Sequence, residues 1–249
     1  MTSNTVDDPE RIARVELACA YRLFAALGWH ELIYNHISLR IPERHDRFLL
    51  NPFGMMYREV TASSLVEVDI EGRRIDPSAM PINPAGFVVH AAVHRARADA
   101  VCVMHTHTTA GMAVACQRDG LRMLSFPSLF YANRIGYHDF EGITLDTEEC
   151  TRLAANLGSH NTMILRNHGL LSCGASVADA FAELYHLQRA CEVQIAAQST
   201  GAELILPPDA IARKAAAQFD ATARHGEQNR LLFSAMRRWM DSIDPSYSL

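Results

Sequence analysis

Apolar residues recur along this chain with two different periods, and each change of period marks a new element. Val15, Cys19, Leu23 and Leu27 fall at every fourth position between Asp8-Pro9 and Gly28, which predicts a capped amphipathic helix with one buried stripe. Ile37, Leu39 and Ile41 then alternate with His36, Ser38 and Arg40, the two-residue period of a half-buried strand, so His36 shares a face with Arg40. Short strands are expected at Phe48–Asn51 and Val66–Ile70, the second turning at Glu71-Gly72. Asn83-Pro84 opens a helix through roughly Arg97, and the apolar run Ala100–Met104 reads as a buried strand leading into His105-Thr106-His107.

A short helix is expected near Ala110–Cys116, followed by an aromatic stretch from Ser125 to Gly142 without a clear period, as segments that wall a site often are. Thr162–Leu165 and Leu170–Ser172 read as strands flanking Arg166-Asn167-His168-Gly169. Ser176 with Asp179 starts a long helix to about Thr200, and a last helical region runs from Asp209 to about Met240, interrupted near Gly226. No repeat or low-complexity segment divides residues 1–249, which read as one α/β domain.

Charge and composition narrow the partners. The 23 basic and 28 acidic side chains give a net charge of −5 with no cationic cluster, which argues against nucleic acid and against an anionic membrane. No apolar run reaches the ~18 residues of a membrane span, and Met1 to Glu10 is polar and acidic, so a cytoplasmic protein is expected. The six cysteines are scattered without a CxxC pair and read as buried thiols in a reducing compartment.

The chemistry concentrates in the histidines. In extended backbone His105 and His107 point to the same side, and two imidazoles so placed either share one metal or simply hydrogen-bond at a strand end. His168, before Gly169, is a third imidazole that would complete a facial set, leaving coordination positions open for substrate. His90 and His94, one helical turn apart among apolar residues, read as supporting rather than ligating groups.

The string from Asn83 to Thr108, NPAGFVVHAAVHRARADAVCVMHTHT, together with RNHGLLSCG at 166–174, NHISLR at 35–40, NPFGM at 51–55 and YHDFEG at 137–142, resembles the class II aldolase/adducin family over most of residues 10–200. The resemblance implies a three-layer α/β/α fold with a mixed, mainly antiparallel central sheet. It also implies one divalent transition metal (zinc foremost, manganese or iron as alternatives) on His105, His107 and His168, and a homotetramer with sites between subunits. Asn35 and Gly54 match positions that line the substrate pocket in relatives, although Asn35 would also serve as a turn residue and Gly54 as a positive-φ turn.

The chain departs from the family's aldolases at Gly86, four residues before His90, where those enzymes carry a catalytic carboxylate; Pro84 and Ala85 stand where sugar-phosphate enzymes place serines. Phosphosugars are therefore not the expected substrates. Three neutral ligands leave the metal close to its full charge, which suits a small chelating carboxylate. Cleavage or decarboxylation of a non-phosphorylated oxo acid or hydroxylated aromatic carboxylate is the leading expectation. A non-haem iron oxygenase acting on an arylpyruvate and a non-catalytic adducin-like interaction module are the alternatives. Tyr131 and His138 are the expected replacements for the missing acid or base, ahead of Tyr137, Asp139 and Glu141; Arg166 or Arg134 would grip the substrate carboxylate.

Overall fold

Asp8 accepts a hydrogen bond from the Glu10 amide and caps helix α1 (Pro9–Leu27), whose stripe at Leu17, Leu23 and Phe24 is fully buried. In the computed structural model, residues 8–142, 147–223 and 226–249 are described. Among them the chain continues through strands β1 (Ile37–Ile41), β2 (Arg44–Leu50) and β3 (Val66–Asp69), helix α2 (Pro84–Ala96), strand β4 (Cys102–Thr106), and helices α3 (Thr109–Ala115) and α4 (Phe126–Leu129). Strand β5 (Ile135–His138), helix α5 (Thr147–Leu157) and strands β6 (Thr162–Leu165) and β7 (Gly169–Gly174) follow. Helices α6 (Val177–Ser199), α7 (Asp209–Ala223) and α8 (Glu227–Ile243) complete it.

The seven strands form one sheet in the order β3-β2-β1-β4-β7-β6-β5, antiparallel throughout except for the parallel pair β5–β6. Each face is covered by helices because residues alternate across it. Ile37, Leu39, Cys102, Met104 and Leu170 pack under α1 and α6, whereas Val103, Leu171 and Cys173 pack with α2 and α5 on the opposite face. The expected mixed, mainly antiparallel α/β architecture is the one observed. No helix among the described residues is long and apolar enough to cross a membrane.

The register of the central strands positions the chemistry. Ile37 pairs with Met104 across β1 and β4, so one step further along, His36 stands beside His105 at the same end of the sheet. His105 in turn pairs with Leu171 of β7, and the turn that feeds β7 carries His168. Glycine is required there: a Cβ on Gly169 would stand 2.3 Å from the Thr106 carbonyl oxygen, so only a bare Cα lets the two backbones approach so closely.

Most elements lie within a residue or two of their expected places, and the differences have local causes. β2 begins at Arg44, earlier than Phe48, because its first residues are an exposed polar hairpin arm paired to β1 and β3. The aromatic stretch, expected to lack regular structure, contains α4 and β5; Gly136 removes a side chain from β5 and with it the alternation that would have revealed a strand. The last helical region is two helices, α7 and α8, with Gly226 at φ +60° ahead of the second.

Candidate metal centre

β4 carries His105 inward, the chain just past it carries His107, and the β6–β7 turn brings His168 from 61 residues beyond His107. One ring nitrogen from each lies within 4.8 Å of the others. The ring centroids of His105 are 4.5 Å from His107 and 4.8 Å from His168, and His107 and His168 are also 4.8 Å apart. His105 Nδ1 lies 2.9 Å from the Leu170 carbonyl, which can only accept, so Nδ1 bears the proton and Nε2 presents its lone pair toward His107 Nε2, 2.7 Å away. Three imidazole nitrogens each ~2.1 Å from one cation stand roughly 3 to 3.5 Å apart, within a small adjustment of this arrangement. The donor set therefore fits a divalent transition ion.

Burial is the main force keeping these rings neutral, the form in which imidazole ligates. It holds His105 well below the usual histidine range, aided by the neighbouring His107 and His168, and lowers His107; His168 is pushed down to about 4 by burial and then by His107. On the same side of the sheet, His36 and His94 are each pushed down to about 3, chiefly by burial. In the unfolded chain these imidazoles titrate near ~6.5. Below that pH the unfolded state takes up protons that the folded state refuses, so the stability present at neutral pH is lost as pH falls from 6.5 toward 3. For metal-free protein, the urea midpoint is expected to drop steeply between pH 7 and pH 5, with up to about 2 kcal/mol lost per buried histidine at pH 5. A midpoint unchanged across that window would contradict the burial.

The three histidines form the floor of a cavity of about 490 Å³, walled by His36, Gly86, Tyr34, Val89 and Phe140. Glu31 also lines it, and among the described residues no Lys or Arg does. Gly86 lies in the first turn of α2, where the imidazole of His36 fills the place a side chain would take: a Cβ on Gly86 would be 2.1 Å from His36 Cδ2.

The other expected site residues are distributed unevenly. Gly86 lines the cavity. Asn35 is buried just outside it, its amide nitrogen 3.5 Å from the His105 carbonyl and its Oδ1 without a hydrogen-bond partner among the described residues. Gly54, at φ +107°, lies in a turn beside Met80 and is not among the residues that line the cavity. Tyr131, expected to face the reaction, is instead buried in the core on the far side of the sheet, where its hydroxyl donates to the Glu183 carbonyl. His138 lines a narrow cleft adjoining the cavity, with Nδ1 accepting from Asn156 and Nε2 3.6 Å from Glu149. Arg166 borders the same cleft, stacks on Tyr137 and donates to the carbonyls of Gln117 and Arg118, so its fork is turned away from the metal-site cavity. Arg134 pairs with Glu183 and Asp220, also away from it.

Sequence reasoning missed Glu31, Tyr34 and Val89 of the cavity wall, and above all His36, which it placed only on the face of Arg40. That face is real: Arg40 donates to the His94 carbonyl of the overlying α2. The overlooked signal was the coincidence of a strand histidine with Gly86 and two helix histidines a turn apart.

Comparisons with known proteins agree with this geometry. Residues 15–195 match the model of the class II aldolase and adducin N-terminal domain. A Pseudomonas aeruginosa protein that carries a class 2 aldolase name without a stated substrate is 50% identical over 236 residues, 94% of this chain and 91% of the relative. Rat alpha-adducin is 44% identical over 192 residues, which are 76% of this chain and 26% of adducin. The solved structure of an L-fuculose 1-phosphate aldolase from Glaciozyma antarctica superposes with a TM-score of 0.83 at 26% identity, covering 98% of this chain and 94% of that one. The three-histidine floor, the sheet that assembles it and these relationships together make this chain a member of the class II aldolase and adducin family.

Proposed function

We propose that this protein is a divalent-metal-dependent carbon–carbon lyase acting on a small non-phosphorylated carboxylate, by aldol cleavage or decarboxylation. The observation that carries this reading is the convergence of His105, His107 and His168 at the floor of an open cavity. A bound metal supplies a Lewis acid for the electron pair released when a C–C bond breaks. The protein's own contribution begins with three neutral nitrogen donors, which leave the cation's charge undiminished to attract a substrate carboxylate. The absence of Lys and Arg among the described cavity residues argues against a phosphate ester, which calls for basic or amide-rich walls. Tyr34, Val89 and Phe140 offer apolar area for the rest of the substrate and exclude water from it. Tyr34 and Phe140 are also largely exposed at the cavity mouth, which supports an oligomer with that mouth at a subunit boundary.

Zinc- and manganese-loaded protein, offered a panel of 2-oxo acids, 2-hydroxy acids and hydroxylated aromatic carboxylates, is expected to release CO2 or a carbonyl fragment from at least one. Loss of that turnover on chelation and its return with metal would complete the case; no release from any member of the panel would defeat it. The alpha-adducin relationship favours a second reading, a binding module without turnover, and the same null panel would leave that reading standing.

A further inference from the structure

A continuous line of hydrogen bonds runs from the cavity through the α2 face of the sheet. His36 Nδ1 is 2.8 Å from His90 Nε2, His90 Nδ1 is 2.7 Å from Ser38 Oγ, Ser38 Oγ is 2.8 Å from His94 Nε2, and His94 Nδ1 is 2.8 Å from the Ala100 carbonyl oxygen. All four side chains are buried.

The far end fixes every proton in the line. A carbonyl oxygen only accepts, so His94 Nδ1 carries hydrogen and Nε2 of this neutral ring is bare. Ser38 therefore donates its single hydroxyl proton to His94 and accepts from His90 Nδ1–H. His90 Nε2, now bare, accepts from His36 Nδ1–H. What remains is His36 Nε2, a lone pair without a hydrogen-bond partner among the described residues, on a ring that lines the cavity beside Gly86 and 5.5 Å from the His105 ring. Reversing the line would require the Ala100 carbonyl to donate.

We infer that His36 is the specificity-determining residue of the cavity, its Nε2 accepting a hydrogen bond from a substrate hydroxyl, so that the site takes 2-hydroxy carboxylates in preference to 2-oxo carboxylates. This deepens the lyase reading and rests on its metal-bound carboxylate. A hydroxyl on the carbon next to that carboxylate can turn its hydrogen to His36 while its oxygen faces the histidine floor. A ketone oxygen at the same place has no hydrogen to give and sets its lone pairs against that of Nε2. His90, Ser38 and His94 are positioning residues, which act by holding the tautomer of His36. The aromatic side chains of Tyr34 and Phe140 in the wall fit an aryl substituent.

Mandelate and benzoylformate, which share an aryl ring and two chelating oxygens and differ in the hydroxyl, are the probes. Calorimetric titration of zinc-loaded protein is expected to show mandelate binding about tenfold more tightly, the scale of one hydrogen bond. His36→Phe should bring the two affinities together, and Ser38→Ala, which keeps His36 but breaks the line, should reduce the preference several-fold. Nitrogen-15 NMR of the histidine rings should show His36 protonated at Nδ1 and bare at Nε2 in wild type, and a mixture of tautomers in Ser38→Ala. A mandelate preference that survives His36→Phe, no preference in wild type, or a wild-type His36 protonated at Nε2 would each overturn the inference. The ring tautomer is read without metal and the affinity ratio without turnover. Failure of the lyase panel is therefore a separate result from failure here.

Discussion

Replacing His168 with alanine is expected to lower zinc affinity by at least about 100-fold while leaving the fold intact, because it removes a direct donor where loss of a mere supporting contact already costs 10 to 100-fold. His168 is the informative choice among the three. It sits on the β6–β7 turn and is only partly buried, so its ring contributes little to the core, whereas His105 lies inside the sheet with its Nδ1 tied to Leu170. Competition with a chromophoric chelator would read the affinity, metal analysis after gel filtration the stoichiometry, and circular dichroism the fold. His186, half-buried against Phe130 and Phe219 away from the cavity, is the control and should bind zinc like wild type when changed to alanine. Undiminished zinc affinity in His168→Ala would show that the three imidazoles do not act on one ion, and the lyase reading would fall with them.

The sheet and most of its helices were legible where burial imposed a period; α5 was not read, although its Leu153 and Leu157 are buried at helical spacing. The alternation of β1 survives because a polar layer covers one of its faces and the core the other, whereas the stripe of α1 holds only at Cys19 and Leu23: Val15 and Leu27 are half-buried, and Leu17 to Phe24 are buried all round the helix. β5 was hidden by its glycine, which the fold needs because a Cβ on Gly136 would stand 2.6 Å from the Asn156 carbonyl oxygen of α5. At the site, the metal-ligating candidates were legible because a His-x-His at a strand end and a histidine before a turn glycine are both local patterns. His36 was not, since its meaning depends on what stands across from it on another strand and on a helix 50 residues away. Tyr131 misled for the converse reason: an aromatic residue in an irregular stretch carries no sign of which side of the sheet it faces, and it faces the core.

Gly86→Ala is expected to destabilise the protein by about 2 to 4 kcal/mol, although alanine in place of glycine within a helix ordinarily stabilises by up to about 1 kcal/mol. The added methyl group would meet His36 at 2.1 Å from Cδ2 and 2.2 Å from Nε2, well inside any contact distance, so either ring or helix must move by more than an ångström. His36 cannot swing aside without giving up its bond to His90, which leaves the buried His90 Nε2 unpaired while Nδ1 stays on Ser38. For a chain of this size the loss corresponds to a melting temperature lower by roughly 5 to 15 °C. The double variant separates this cause from any intrinsic need for glycine. With His36 already alanine the methyl group enters vacated space, and Gly86→Ala should be neutral or stabilising, so that a double-mutant cycle returns a coupling of about 3 kcal/mol between the two positions. Equal effects of Gly86→Ala in both backgrounds would mean that the His36 ring does not occupy the missing side chain's place. The cavity would then be open at the point where the family's aldolases keep their carboxylate.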